Sequence, residues 1–291
     1  MTTLASAALA GVAVLLGGNL PWIALLAPLN LRFFQVVPWA IVPMGIYLVM
    51  YWRYIGGRMG SNRSAHARRE NLRANPLTAD AWILAILTGF LGFGGLLALV
   101  ALMARLVALP EAAPIVPPIG MPAMTMFMLL VMSSVVAGVT EEAGFRGYMQ
   151  GPIERRYGLA VAILVNGTMF GLLHFPNHPE AVISMLPYYI AVAAVYGGLT
   201  WAANSILPAL VLHVGGDVWS LTRLWLTGRP EWDISVMHPG LVRETGVDAS
   251  LFVAAAAVVV LGGATVGLCR SLRRVTVGQP AVHLDTAASS P

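Results

Sequence analysis

Eight long apolar stretches decide what this chain can fold into. A helix that crosses a membrane needs roughly 20 mainly apolar residues. The candidates cover about residues 4–28, 34–55, 81–107, 122–149, 158–174, 182–202, 205–226 and 250–269. Only 10% of all residues are charged, whereas a soluble domain has about 25%. The sequence therefore predicts an all-α fold, a polytopic transmembrane helical bundle of about eight spans.

The same composition excludes several other classes of protein. A disordered chain combines low hydrophobicity with high charge, but 58% of these residues are hydrophobic. The formal net charge of +4 does not indicate a nucleic-acid-binding protein, because the basic residues are not gathered on one polar module. The single Cys269 excludes an internal disulfide and a cysteine-based zinc site. We therefore expect membrane lipid, and no nucleic acid, among the partners.

The arginines predict how the chain is oriented in the membrane. Short cytoplasmic loops carry an excess of basic residues. Arginines are concentrated after the second, fourth and last stretches, at Arg53, Arg58, Arg63, Arg68, Arg69, Arg73, Arg155, Arg156, Arg270, Arg273 and Arg274. The 108–121 loop contains none. We therefore predict a multi-pass protein of the cell inner (plasma) membrane with both termini in the cytoplasm.

The chain is predicted to have a single folded domain. Residues 1–274 form one transmembrane domain, in which residues 122–226 carry the motifs. The small and polar residues 275–291 predict a disordered cytoplasmic tail. The first stretch is apolar like a signal peptide, but it is too long and has no basic n-region. We therefore interpret it as a span that is kinked near Asn19 and Pro21.

Three of the apolar stretches carry polar residues at helical spacing, and such residues inside a membrane indicate functional sites. The first group is Glu141, Glu142 and Arg146. Glu142 and Arg146 are four residues apart, so they share a helix face and can form a supporting ion pair. Glu141 lies about 100° around the helix from Glu142. It is therefore not required for that pair and suits a general base.

The other two groups lie further along the chain. Asn166, Phe170 and His174 follow one another at steps of four and share a face. A histidine alone at the end of a span is usually an interfacial residue. His213 and Asp217 are also four residues apart, and an interhelical hydrogen-bonding pair explains them as well as a catalytic pair does.

The predicted turns bring the three groups to one level. With a turn near residues 157–158, Glu141 and His174 lie at equal distances from the tip of an antiparallel hairpin. The next hairpin turns near residues 203–204, so His213 lies a short distance into the following helix. This convergence favours a functional interpretation over three unrelated structural ones.

Two histidines and two or three carboxylates around one cavity are typical of sites that activate water for hydrolysis. In one version Glu141 and His174 deprotonate the water directly, and His213 with Asp217 stabilises the oxyanion. In the other version His174, His213 and Asp217 bind zinc, which makes a bound water more acidic. The sequence has neither a His-Glu-x-x-His zinc motif nor a Gly-x-Ser-x-Gly nucleophile elbow.

In this order, the motifs resemble those of the CAAX-processing and bacteriocin-processing (CPBP) membrane endopeptidases, also called the ABI family. The resemblance rests on Glu141-Glu142-x-x-Phe145-Arg146-Gly147, Phe170-x-x-x-His174, Asn204-Ser205-Ile206-Leu207-Pro208 and His213-x-x-x-Asp217. Its best-known members are type II CAAX prenyl endopeptidases of the Rce1 kind. The resemblance covers about residues 122–226. It implies an intramembrane catalytic cavity and a hydrolase that cleaves a peptide bond of a membrane-associated, in some members prenylated, substrate.

Residue roles follow from the same resemblance. It implies that Glu141 and His174 activate water, and that His213 and Asp217 stabilise the oxyanion. The supporting positions are Glu142, Arg146, Asn166 and Phe170. The family is labelled a metallopeptidase family and its need for zinc is argued both ways, so both versions of water activation stay open.

Position 217 departs from the prenyl endopeptidases, which have asparagine there. An ionised aspartate cannot donate a hydrogen bond to an oxyanion. Asp217 must therefore be protonated, orient His213 or bind a cation. Two further classes of function stay open: a non-catalytic membrane scaffold or bacteriocin-immunity protein on the same fold, and a transporter that uses these residues to relay protons or bind an ion.

Overall fold

A computed structural model of the chain describes residues 3–110, 113–174, 182–230, 232–233 and 240–277. Every regular element among these residues is a helix. The first half contains α1 (Leu4–Leu20), the π-helical segment π1 (Pro21–Leu26), α2 (Ala27–Arg32), α3 (Ile41–Ile55), α4 (Asn62–Leu72) and α5 (Ala79–Leu106). The second half contains α6 (Ala123–Glu141), the π-helical segment π2 (Glu142–Met149), α7 (Gln150–Tyr157), α8 (Leu159–Leu173), α9 (Val182–Ala203), α10 (Leu207–Thr227), α11 (Val242–Thr245) and α12 (Ala249–Val277).

Each of the eight predicted apolar stretches contains a helix, which confirms the all-helical class. Among the described residues, five continuous helices are long and apolar enough to cross a membrane: Leu4–Arg32, Ala79–Leu106, Ala123–Tyr157, Val182–Ala203 and Ala249–Val277. The apolar helices α3 and α8 have 15 residues each, and α10 has 21 residues but contains polar groups of the third motif. The total of eight spans stays a prediction.

One end of the molecule, which we call the Arg73 end, is held together by arginines. The Arg73 guanidinium pairs with Glu154 of α7 at 3.0 Å. The backbone carbonyl of Arg73 accepts a hydrogen bond from the Ile206 N–H ahead of α10. Arg273 of α12 donates to the carbonyl of Trp201 in α9 at 2.7 Å. This end therefore collects the starts of α5 and α10 and the ends of α7, α9 and α12.

The opposite end, which we call the Arg105 end, is built around one buried arginine. Arg105 near the end of α5 is 2% exposed and pairs with Asp248, just before α12, at 3.0 Å. It also donates to the Thr245 hydroxyl at 3.0 Å and the Gly246 carbonyl at 3.2 Å. Helices α5 and α12 are therefore antiparallel neighbours. The arginines that we assigned to the cytoplasm lie at the Arg73 end, as the predicted alternation requires.

The first helix packs directly on the segment that carries the first motif. A Cβ added to Gly11 of α1 would lie 2.7 Å from the Gly144 carbonyl of π2. A Cβ on Gly144 would lie 2.7 Å from the Gly11 carbonyl in return. The two backbones touch, which only glycine permits at these positions. Helix α1 therefore fixes one side of the segment that presents Glu142 and Arg146.

Three sequence expectations need correction or lie outside the described residues. The tail does not begin at residue 275, because α12 continues through Val277; residues 278–291 lie outside the described part. The kink expected at Pro21 is the start of π1, a wider helical turn that continues into α2 without a break. The arginine-rich connection after α3 contains the helix α4, which the apolar pattern did not predict.

Candidate active site

Glu142 and Arg146 form the predicted ion pair, deep inside the bundle. Both belong to π2, and their side chains are 0% and 1% exposed. Arg146 Nη1 lies 3.3 Å from Glu142 Oε1. A charge this deeply buried needs an opposite charge beside it, so each of these residues requires the other. The supporting role predicted for the pair fits this geometry.

Glu142 has a second partner, which the sequence did not reveal. Its Oε1 lies 2.8 Å from Nδ1 of His213 on α10. Because a carboxylate only accepts, His213 Nδ1 carries the hydrogen of this bond. The ring of His213 also stacks on Tyr196 of α9, with centroids 5.3 Å apart. Glu142 and Tyr196 therefore fix both the tautomer and the plane of the imidazole, and they direct Nε2 away from the ion pair.

Two carboxylates approach the free edge of that imidazole. His213 Nε2 lies 3.7 Å from Glu141 Oε2 and 3.6 Å from Asp217 Oδ2. These distances are too long for direct hydrogen bonds and are typical of groups that share a water. The side chains of Glu141 and Asp217 are 15% and 30% exposed, against 7% for His213. The space between these three groups, which we call the gap, is therefore partly exposed on the side of the two carboxylates.

Aromatic rings surround the buried guanidinium of Arg146. Its Cζ lies 5.7 Å from the Phe145 ring, 5.6 Å from the Phe170 ring and 5.1 Å from the Tyr196 ring. The faces of these rings attract a cation. Among the described residues, its Nε, Nη1 and Nη2 make no hydrogen bond. The aromatic faces and the Glu142 charge therefore stabilise Arg146 in place of water.

His174 lies beside this aromatic group, and its ring centroid is 4.5 Å from that of Phe170. Phe145 and Phe170 meet edge to face at 5.3 Å, which is the register expected for a hairpin that turns at Gly158. Glu141 precedes Phe145 by about one helical turn and His174 follows Phe170 by the same interval, so both lie at one level. His174 Nδ1 lies 2.8 Å from the Phe170 carbonyl. That bond leaves the Nε2 lone pair of the neutral ring available.

The structure does not bring every predicted site residue together. Among the described residues, no ion pair joins His174 to Glu141, whereas Glu141 and Asp217 both approach His213 Nε2. Asn166 is buried, but its amide donates to the Ala162 carbonyl of its own helix at 2.8 Å, so its supporting role in the site stays a prediction. Phe170, in contrast, contacts Arg146 and His174 directly.

The predicted zinc ligands do not form a metal site in this arrangement. Among the described residues, no three His, Cys, Asp or Glu side chains have an arrangement that could hold a metal ion. His213 uses Nδ1 for Glu142, and His174 uses Nδ1 for a carbonyl of its own helix. The expected set of His174, His213 and Asp217 therefore does not fit zinc, and we derive no step through a metal.

Comparison with known proteins supports the motif interpretation. Residues 123–219 match the model of a family described as Rce1-like, type II CAAX prenyl endopeptidase. The match begins at the first residue of α6 and ends two residues after Asp217, so it contains all the residues of the three motifs. No curated protein and no solved structure matches the chain. Residues 123–219, about a third of the chain, are therefore similar to the Rce1-like family of type II CAAX prenyl endopeptidases.

Proposed function

We propose that the protein is an intramembrane endopeptidase that hydrolyses a peptide bond of a membrane-associated substrate, without a metal. The observation that carries this proposal is the convergence of Glu141 and Asp217 on His213 Nε2, at 3.7 and 3.6 Å, around an accessible gap. Such a gap has a base, an imidazole and room for water within reach of one another. These are the elements that a water-activating hydrolase needs.

Glu141 is the general base in this proposal. Unlike Glu142, it is engaged by neither Arg146 nor His213 Nδ1, and its side chain reaches the open side of the gap. Its carboxylate takes a proton from water while the water oxygen forms a bond to the carbonyl carbon of the substrate. His174 assists from the same level of the neighbouring helix, where its Nε2 can accept a hydrogen bond from that water. Catalytic hydrogen bonds are often longer before substrate binds.

His213 stabilises the negative charge that develops on the substrate oxygen. In its imidazolium form it donates through Nδ1 to Glu142 and through Nε2 to the oxyanion. The Glu142–Arg146 pair holds the ring in this position before substrate arrives, which lowers the cost of reorganisation in the transition state. Of the three roles open to Asp217, orienting His213 fits best, because its carboxylate faces the same Nε2.

The tetrahedral intermediate formed by this addition of water then breaks down. The carbon–nitrogen bond breaks, and Glu141 returns its proton to the leaving amine, so one water is consumed and the base is regenerated. The two products are a peptide with a new carboxylate and a peptide with a new amine. Substrates of this kind are membrane peptides or proteins, including prenylated ones, because the gap lies between apolar helices.

The experiment compares wild type with Glu141→Gln in detergent, with a quenched prenylated peptide and then a mixed pool of membrane peptides as substrates. We expect cleavage by wild type and a loss of about 10²–10⁴-fold for Glu141→Gln. Glu70→Gln, on the exposed side of α4, is the matched control and should cleave normally. Metal content is measured on the same samples, and cleavage by metal-free wild type is the expected result.

His174→Ala and His213→Ala separate the roles of the two histidines. Loss of the oxyanion donor in His213→Ala should lower kcat by about 10²–10³-fold, and loss of the group that assists the water in His174→Ala should also impair cleavage, with His66→Ala as the unaffected exposed control. Full cleavage by Glu141→Gln would overturn the assignment of the base. Absence of cleavage from all substrates, with an intact biological function in Glu141→Gln, would instead identify a scaffold or immunity protein.

We also propose that the Arg73 end faces the cytoplasm, which places both termini there and the protein in the cell inner membrane. Eleven of the arginines lie at that end, in the short connections where the excess of basic residues is informative. Cysteine labelling tests this with Arg58→Cys at the Arg73 end and Arg243→Cys at the Arg105 end, in a Cys269→Ala background. Only the cysteine of Arg243→Cys should react with a membrane-impermeant thiol reagent added to intact cells.

A further inference from the structure

A second cavity lies on the opposite side of α9 from the catalytic gap. It has a volume of about 460 Å³, within the range of roughly 300–1,000 Å³ for ligand pockets. It is lined by α8 through Leu159 and Ile163, by α9 through Ala191 and Gly198, and by α12 through Gly262 and Val266. Val266 is 51% exposed. The cavity is therefore an apolar groove that is open along its length to the surroundings of the bundle.

The groove has the length of one membrane leaflet. Its lining on α12 runs from Val258 to Arg270, which is roughly 18 Å at 1.5 Å per residue. Half of the hydrocarbon core of a bilayer measures about 15 Å. The groove therefore extends from the Arg73 end to about the middle of the membrane, which is the depth that one acyl chain reaches from that side.

A single charged group lines this groove. Arg270 lies at its Arg73 end, is exposed, and has no ion pair or hydrogen bond among the described residues. Arg273, one turn further, is held by the Trp201 carbonyl and covers the Trp201 ring at 4.8 Å. Trp201 also lines the groove. An apolar slot that ends at an unpaired cation beside an interfacial tryptophan matches the chemistry of an anionic phospholipid.

We propose that this groove binds an anionic phospholipid, with one acyl chain between α8 and α12 and the phosphate at Arg270. Basic pockets between transmembrane helices recognise anionic head groups in this way. The site is separate from the catalytic gap, because Tyr196 of α9 and Phe93 of α5, packed edge to face at 5.8 Å, lie between them. The proposal does not depend on peptidase activity.

The test uses the full chain, purified and delipidated in detergent, and counts bound lipid by native mass spectrometry. Phosphatidylglycerol and phosphatidylcholine with identical acyl chains are the two probes. We expect one phosphatidylglycerol to bind more tightly than phosphatidylcholine. Arg270→Gln should lower the affinity for phosphatidylglycerol about fivefold, the effect of one basic residue, and leave phosphatidylcholine unchanged. Arg274→Gln, an exposed arginine outside the groove, is its matched control.

Substitutions at two neighbouring glycines test the part of the site that would hold the acyl chain. A Cβ at Gly262 or at Gly263 meets no atom within 4 Å, so a side chain can begin at both positions without a backbone clash. Only Gly262 lines the groove. Gly262→Leu should abolish binding of both lipids, and Gly263→Leu should not. Equal affinity for the two lipids with no effect of Arg270→Gln, or equal loss in the two leucine variants, would overturn the proposal. So would a change of oligomeric state in Gly262→Leu, because the groove would then be a protein interface.

Discussion

Replacing Arg146 by methionine tests whether the buried ion pair stabilises the site as its geometry implies. Methionine keeps a long apolar side chain between Phe145, Phe170 and Tyr196 but removes the cation. Glu142, at 0% exposure, then keeps His213 as its single charged partner. Breaking a buried pair in this way usually costs about 3–5 kcal/mol. Since the bond to His213 survives, we expect the free energy of unfolding to fall by about 3 kcal/mol.

The double variant Glu142→Gln/Arg146→Met makes this expectation specific. Replacing both members of a buried pair is often neutral, because no uncompensated charge is left. We therefore expect the double variant to recover most of the stability lost by Arg146→Met, although His213 loses its charged partner and activity falls. Arg58→Met, at an exposed position on the Arg73 end, should change stability by less than about 0.5 kcal/mol.

Reversible unfolding in mixed detergent micelles, followed by circular dichroism, supplies the free energies for this cycle. The reasoning fails if Arg146→Met costs less than about 1 kcal/mol, since the buried Glu142 would then not need its partner. It also fails if the double variant is as unstable as the sum of the two single variants, since the two residues would then act independently.

Three further predictions concern other parts of the molecule. Gly11→Ala should lower the stability by about 1–3 kcal/mol, because its Cβ would meet the backbone of π2, whereas Gly17→Ala, which meets no atom within 4 Å, should not; thermal melts compare the two. Asp217→Asn should lower kcat, because the amide removes the negative charge that faces His213 Nε2 and orients the ring, and full wild-type turnover would show that this charge is not required. Hydrogen bonds from the Ser250 hydroxyl and the Leu251 N–H, together with the Arg105 cation, hold the pKa of Asp248 below its usual value. Its carboxylate therefore adds stability above its unfolded-state pKa of about 4, and that stability is lost as the pH falls through the lower folded-state pKa; Asp248→Asn should reduce the loss of melting temperature between pH 7 and pH 3.

Those features of the fold that depend on local spacing were predictable from the sequence. Apolar length located the helices of the eight apolar stretches, although not α4, and Gly158 and Asn204 mark the two turns that set the depth of the motifs. The pairing of Glu142 with Arg146 followed from their four-residue separation. Each of these features depends on residues that are close in sequence, so one chain without relatives is enough to show it.

Other features depend on contacts between distant parts of the chain. The bond from His213 to Glu142 joins residues 71 positions apart, and no spacing rule indicates which of two adjacent glutamates accepts it. Tyr196 belongs to no motif, yet it contacts both His213 and Arg146. The helical pattern also cannot show the π-helical turns of π2. Packing of separate helices creates all three features, and sequence periodicity does not record that packing.

The contact between Gly11 and Gly144 also determines the order in which the molecule is assembled. Helix α1 is made first, but the segment that it covers is made more than a hundred residues later. At about 5–20 residues per second, α1 waits in the bilayer for several seconds with its glycine face in contact with lipid. Contacts between distant segments form late in folding. The ribosome has therefore passed all of π2 before the segment that carries Glu142 and Arg146 packs against α1. A competing helix that occupied the glycine face during this interval would prevent that packing.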